Sequence, residues 1–288
     1  MSRKKKEIIL SLGLILIGLV IAAVSMASVG FDFSRLTTTK YVTTTHEVSD
    51  AFRNLTITGD TEDVAFVLSV DGACRVVCRE REDAPHRVGV RDDTLIIETP
   101  AESSWHFFEF SFMAEGPAIT VYLPAEAALG ALSARVSTGD ISLTGLEAES
   151  IRLSASTGSL RLTDVRCAGE MEVSVSTGST VLENVSCGSL TSSGSTGSLE
   201  MKNTVATGAF ALHRSTGSIR FEACDAAEIT AWTSTGSITG TLKTDKIFSA
   251  HSNTGSVDVP QTASGGKCEL SASTGSIRIE IQDQSKGR

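Results

Sequence analysis

The sequence predicts an all-β protein: a single-chain parallel β-solenoid of about eight rungs of 19–20 residues, a β-rich N-terminal head capping its first rung, and one N-terminal transmembrane helix. Three observations predict it. A Ser-Thr-Gly triplet recurs eight times, with its glycines at Gly139, Gly158, Gly178, Gly197, Gly217, Gly236, Gly255 and Gly275. Apolar residues keep fixed offsets from those glycines. A basic cluster followed by an apolar run opens the chain.

The repeat sets the core. Thr precedes every triplet glycine, and Ser opens seven of the eight triplets, with Asn253 the exception. Seven residues before each glycine stand Leu132, Ile151, Met171, Leu190, Phe210, Ile229, Phe248 and Cys268. Two after it stand Ile141, Leu160, Thr180, Leu199, Ile219, Ile238, Val257 and Ile277. Polar residues fill most positions between these columns, which is the period-two alternation of half-buried strands. The triplet glycine permits a turn with positive φ. A second turn falls six residues past it, where Gly145, Asp164, Asn184 and Asn203 share a column. These types tolerate left-handed backbone, and stacked Asn side chains can hydrogen-bond along the axis. No helical pattern interrupts the rungs, so strands recurring in one order imply parallel coils about 4.8 Å apart. The crossover rule favours a right-handed coil. One rung cannot bury its own apolar face, so stability comes from neighbours.

The N-terminus is different material. Arg3, Lys4, Lys5 and Lys6 precede an apolar run over residues 8–24. This pattern predicts a retained anchor with the N-terminus cytoplasmic and the solenoid extracellular. Cleavage after Ala27 is the competing reading, since Ser25-Met26-Ala27 has the small-x-small form of a signal-peptidase site. The predicted organisation is a cytoplasmic start over 1–7, anchor 8–30, tether 31–45, head 46–130, solenoid 131–281 and polar tail 282–288. Four basic groups and one acid give the first 31 residues +3, so the chain's −9 leaves −12 beyond them. An acidic exterior excludes nucleic acid as a partner.

The head reads as strands over 54–58, 64–70, 74–81, 87–91, 94–99 and 118–123, with hairpin turns at Asp71-Gly72 and Asp92-Asp93. Residues 105–112 hold the densest aromatic cluster, either head core or an exposed patch. Strand 277–281 is expected to leave an exposed final edge.

Together these features resemble the bacterial putative-adhesin β-strand-repeat family, a domain of unknown function common in Gram-positive bacteria. The resemblance rests on the basic start and apolar run, Gly30-Phe31-Asp32-Phe33, Val121-Tyr122-Leu123-Pro124 and the Thr-Gly rungs. Cys224-Asp225-Ala226-Ala227-Glu228-Ile229 and Gly265-Gly266-Lys267-Cys268 are also similar. Many relatives carry Asp-Thr-Gly-Asp at the corner, whereas only Asp140 follows that pattern here, which speaks against a stacked cation-binding corner. The resemblance brings no catalytic residue and no cofactor. It implies adhesion or an envelope-stress role equally.

Four candidate chemistries stand in the columns. Cys167 and Cys187 fall nine residues past their glycines on adjacent rungs, near enough for a disulfide or for two buried thiols. His213, Trp232 and His251 stand four residues before their glycines, an outward strip able to stack on a sugar or peptide, or merely surface placement. Glu183, Lys202 and Glu222 form a charge ladder. Arg214 occupies a column held elsewhere by Val136, Ala155 and Val175, so it either snorkels out at the corner or pairs locally. The sequence holds no Gly-x-Ser-x-Gly, His-Glu-x-x-His or P-loop, and no Cys/His spacing reads as a zinc site. The expected function is a non-catalytic, membrane-anchored adhesin or interaction scaffold. Its alternatives are an envelope-stress component and, more distantly, a carbohydrate-active enzyme. Its own membrane, surface glycans or proteins, and membrane regulatory proteins are the candidate partners.

Overall fold

The computed structural model describes residues 3–28, 40–100 and 116–282. The aromatic cluster at 105–112, most of the tether and most of the tail lie outside the described residues. The chain divides into two units, Met1–Val42 with Glu102–Glu115, and Thr43–Ala101 with Gly116–Arg288.

The first unit contributes the helix Arg3–Ser28. Among the described residues no helix is long and apolar enough to cross a membrane. This overturns the transmembrane anchor, and with it the single-pass placement, the cytoplasmic N-terminus and the extracellular solenoid derived from it. The physical reason lies in the sequence. Residues 3–7 are all charged, and the run over 8–24 holds 17 residues, short of the roughly 20 needed to cross about 30 Å of hydrocarbon.

The second unit is the solenoid, two 12-stranded sheets facing each other across one core. Each rung gives a long strand to one sheet and a short strand to the other. In the second rung these are Glu147–Thr157 and Leu160–Thr163. Successive rungs pair in parallel with the predicted columns in register: Leu132, Ile151, Met171, Leu190, Phe210 and Ile229 stack in the first sheet. Ile141, Leu160, Thr180, Leu199, Ile219 and Ile238 stack in the second. All twelve are buried.

Backbone and side chains both hold the triplet corner; Thr233 Oγ1, for one, donates to Gly217 O at 2.9 Å. Gly139, Gly158, Gly178, Gly197 and Gly217 donate their N–H to Thr157, Thr177, Thr196, Thr216 and Thr235 of the next rung, at 2.8–2.9 Å. Gly178 has φ +141° and lies so close to Gly158 that a Cβ would sit 1.8 Å from its carbonyl oxygen. Neither condition admits a side chain. The second corner carries the predicted ladder. Asn184 Nδ2 donates to Asp164 Oδ1 at 2.9 Å, and Asn203 Nδ2 donates to Asn184 Oδ1 at 3.0 Å. Asp164, Asn184 and Asn203 all have positive φ, between 47° and 56°.

Both ends depart from chain order. The coil Asn54–Thr58 with Asp63–Leu68 stacks directly on the first triplet rung. The later strands Thr94–Glu98 and Ala118–Leu123 pair in parallel on its far side. The head strands therefore continue both sheets. Asp71-Gly72 is not a two-residue hairpin, because Arg75–Arg81 pairs antiparallel with Ala118–Leu123 and not with Asp63–Leu68. Asp92-Asp93 is one: both residues have positive φ and join Arg87–Arg91 to Thr94–Glu98, as the primed hairpin turns require.

At the C-terminal end the last coil, Gly266–Thr274 with Ile277–Ile281, inserts between the sixth and seventh triplet rungs. Gly236 N–H accordingly meets Thr274 O, and Gly275 N–H meets Thr254 O. The expected open edge at 277–281 is covered at Ile277 and Arg278, which pair with Val257 and Asp258. Lys246–Thr254 and the two-residue Val257–Asp258 form the edge instead.

Candidate functional site

The outer face of the long-strand sheet carries the aromatic strip. Ser154, Ser174, Ser193, His213 and Trp232 stand in register on successive rungs, followed by Ser271 and then His251. The His213 and Trp232 rings stack, with centroids 4.3 Å apart and planes 13° from parallel. Insertion of the last coil separates His251 from Trp232 by a whole rung. His251 Nε2 lies 2.8 Å from Asn253 Oδ1 on its own strand. The strip is thus a two-ring plate among small serines, with His251 apart.

Cys167 and Cys187 are register partners and both are free thiols. Cys167 Sγ points at the Glu149 and Glu170 carbonyls, and Cys187 Sγ at the Val205 carbonyl. Burial pushes the Cys187 thiol up to about 12, which suits a small buried hydrophobe. On the other outer face Lys202 Nζ lies 3.3 Å from Glu183 Oε1, with Glu222 in register beside Lys202.

Arg214 does not snorkel out. It is fully buried, and its guanidinium donates to the His213 carbonyl at 2.7 Å and to Ser192 Oγ at 3.0 Å, leaving Nε without a partner. Burial lowers its pKa to about 10. Its neighbour in the column is Gly194, whose missing side chain makes the room: a Cβ there would lie 3.0 Å from Arg214 Cδ.

One cluster went unread in the sequence. In Arg75–Arg81 the inward positions are Val76, Cys78 and Glu80, so a carboxylate occupies the third place in an apolar alternation. Glu80 Oε2 accepts the His86 backbone N–H at 2.5 Å and lies 2.7 Å from His86 Nδ1. His86 Nε2 faces Glu62 Oε1 at 3.4 Å. Glu62 also accepts from the Asp60 N–H at 2.6 Å and the Thr99 hydroxyl at 3.0 Å. The three side chains are 1–4% exposed. Burial opposes charge on all three, but mutual pairing wins. The hydrogen bonds from His86, Asp60 and Thr99 lower Glu62; those from Thr44 and His86 lower Glu80; and the two carboxylates raise His86. Cys78 Sγ, a Glu80 oxygen and a His86 ring nitrogen lie within 4.8 Å of one another. The inward Glu80, six residues before a histidine in the same hairpin, was the available signal.

The profile of the family described as Toastrack DUF4097 matches residues 52–287. A crystal structure of a putative adhesin from Bacteroides fragilis is 20% identical, with a TM-score of 0.55 over 84% of this chain and 97% of that one. A putative lipid binding protein from Parabacteroides distasonis is 15% identical, with a TM-score of 0.55 over 83% and 97%. At these identities the likeness shows the fold. It lends no support to the Gram-positive source that the resemblance implied. No functionally curated protein matches the chain. With the repeat, the two-sheet solenoid and a profile spanning most of its length in agreement, the chain belongs to the Toastrack DUF4097 family.

Proposed function

We propose that this chain is a non-catalytic, adhesin-like binding scaffold whose outer face receives a glycan ring on the His213–Trp232 plate. The carrying observation is the stacked pair itself: His213 covers one face of the indole, and the small Ser271 stands in register beside Trp232 on its other side. Small neighbours let a flat ligand reach the indole, and an aromatic face matches the C–H face of a sugar. The adhesin name of the Bacteroides fragilis structure is consistent with this reading. So is the burial of the gathered titratable groups Glu62, Glu80 and His86, which holds them away from any large substrate.

The test is a glycan array with the purified chain, followed by titration of the best hit against wild type and Trp232→Ala. Binding that falls by about three- to tenfold or more in Trp232→Ala supports the reading, since aromatic stacking contributes about 0.5–1.5 kcal/mol beyond the area it buries. Absence of any hit, or a hit indifferent to Trp232→Ala, removes it.

A further inference from the structure

The geometry points to a buried zinc-type metal site in the N-terminal cap: Cys78 Sγ, Glu80 Oε1 and His86 Nδ1 as ligands, with Glu62 holding the far side of the imidazole. Cys78 Sγ, a Glu80 carboxylate oxygen and a His86 ring nitrogen already lie within 4.8 Å of one another, so a divalent ion needs only side-chain adjustment to reach bond lengths of about 2.0–2.3 Å.

One orphaned atom supports the assignment independently: Glu80 Oε1 is buried and has no hydrogen-bond partner. Glu80 Oε2 is held by the His86 backbone N–H and lies 2.7 Å from His86 Nδ1, so the ion would replace the proton between Nδ1 and Oε2 while Oε1 is the free ligand atom. His86 Nε2 faces Glu62 Oε1 at 3.4 Å, slightly too far for a good bond. With Nδ1 on a metal the ring must carry its proton on Nε2, and that N–H would close on Glu62. A carboxylate behind a ligating imidazole is the usual support for such a ligand, and it raises the ring's basicity.

Charge balance favours the exchange. With His86 protonated, the state its two carboxylate neighbours favour, the metal-free cluster would hold two carboxylates, one imidazolium and one neutral thiol, a net charge of −1. A divalent ion displaces two protons, one from the Cys78 thiol and one from His86 Nδ1, and the net charge is unchanged. The buried cap is therefore asked to carry no new charge. A thiolate, an imidazole and a carboxylate together suit a borderline ion such as Zn²⁺ and not Mg²⁺ or Ca²⁺. The thiol costs the most: burial pushes it up to about 12, so the ion must supply its deprotonation.

The experiment is titration of reduced, chelator-treated full-length protein with Co²⁺, read by absorbance. One equivalent should raise a thiolate-to-cobalt charge-transfer band with low-symmetry visible bands, bleached by Zn²⁺. About two protons should be released per metal near pH 6. The band should vanish in Cys78→Ser and persist in Cys74→Ser. Glu62→Gln should keep the band but weaken Zn²⁺ binding by about 10- to 100-fold. Should Cys78→Ser fail to fold, loss of the band in His86→Gln with Cys74→Ser unaffected supports the site equally. Wild-type protein that shows no charge-transfer band, or a band lost in Cys74→Ser, overturns the proposal.

Discussion

Gly178→Ala puts the solenoid corner to a direct test. The added Cβ would stand 1.8 Å from Gly158 O and 2.6 Å from its carbon. An ordinary C···O approach is about 3.3 Å, so the corner must open by roughly 1.5 Å. Gly158 N to Thr177 O and Leu160 N to Ser179 O both measure 2.9 Å, and an opening of that size breaks the two bonds. Their loss costs about 1 kcal/mol each. An L-residue at φ +141° adds roughly 1–3 kcal/mol. The expected destabilisation is about 3–5 kcal/mol. Gly72→Ala is the control, because Gly72 has φ +72° but nothing within 4 Å of its missing Cβ. It should cost only about 1–2 kcal/mol, the left-handed penalty alone. Urea unfolding followed by far-UV circular dichroism reads both. With a slope near 2 kcal/mol/M, Gly178→Ala should lower the midpoint by about 1 M more than Gly72→Ala. Equal shifts would mean that the close approach between corners contributes nothing, and the account of the triplet would fail.

Four further outcomes follow from the same geometry. Asn184→Gly removes both ladder hydrogen bonds while keeping the positive φ, and should cost about 1–2 kcal/mol in urea unfolding; Asn184→Ala should cost about 1 kcal/mol more, because it adds backbone strain. Arg214→Val should stabilise the chain by about 1–3 kcal/mol, since no carboxylate pairs with this buried charge. Gly194→Ala should destabilise the wild type but cost markedly less beside Arg214→Val, a coupling of about 1 kcal/mol or more that additive behaviour would refute. Finally, the order of the last coils predicts that Thr230→Cys with Glu269→Cys forms a disulfide under mild oxidation. Thr230→Cys with Ser249→Cys should not, although chain order alone would pair them; the opposite result in gel-shift assays would restore sequential stacking.

The interior of the rod was legible because one period carries it. Leu132 through Ile229 stack as the spacing predicts, and the Asn184–Asn203 ladder follows from two residues sharing a column. Order at the ends was not legible, because a coil at either terminus meets the same apolar columns wherever it inserts. Asn253, the one departure from Ser in the triplets, belongs to the coil displaced to the edge, yet the sequence offers no reason to expect that displacement. The site suffered accordingly: His251 was counted beside Trp232 on chain order and lies a rung away. The apolar run over 8–24 was misread in the other direction, since its composition resembled a membrane span while its length fell short.

Two of the buried charged features, Arg214 and the cap cluster, break the repeat in opposite ways, and the contrast bears on where function can arise in such a rod. Arg214 sits mid-rod, where neighbours on both sides repeat the same backbone. Its charge is accommodated by subtraction, with Gly194 giving up a side chain and Ser192 and a carbonyl accepting its hydrogen bonds. Such a position can hold a guanidinium but offers no second chain segment from which to recruit other chemistry. The cap differs. Glu62 comes from a turn, Glu80 from an antiparallel strand and His86 from the loop after it, so three unlike backbones converge on one interior point. Only at an end is each residue freed from matching the rung beside it. The cap therefore gathers three unlike side chains from three differently shaped segments, whereas the column of Arg214 supplies only what adjacent rungs repeat, and the outer faces present contacts such as the His213–Trp232 pair.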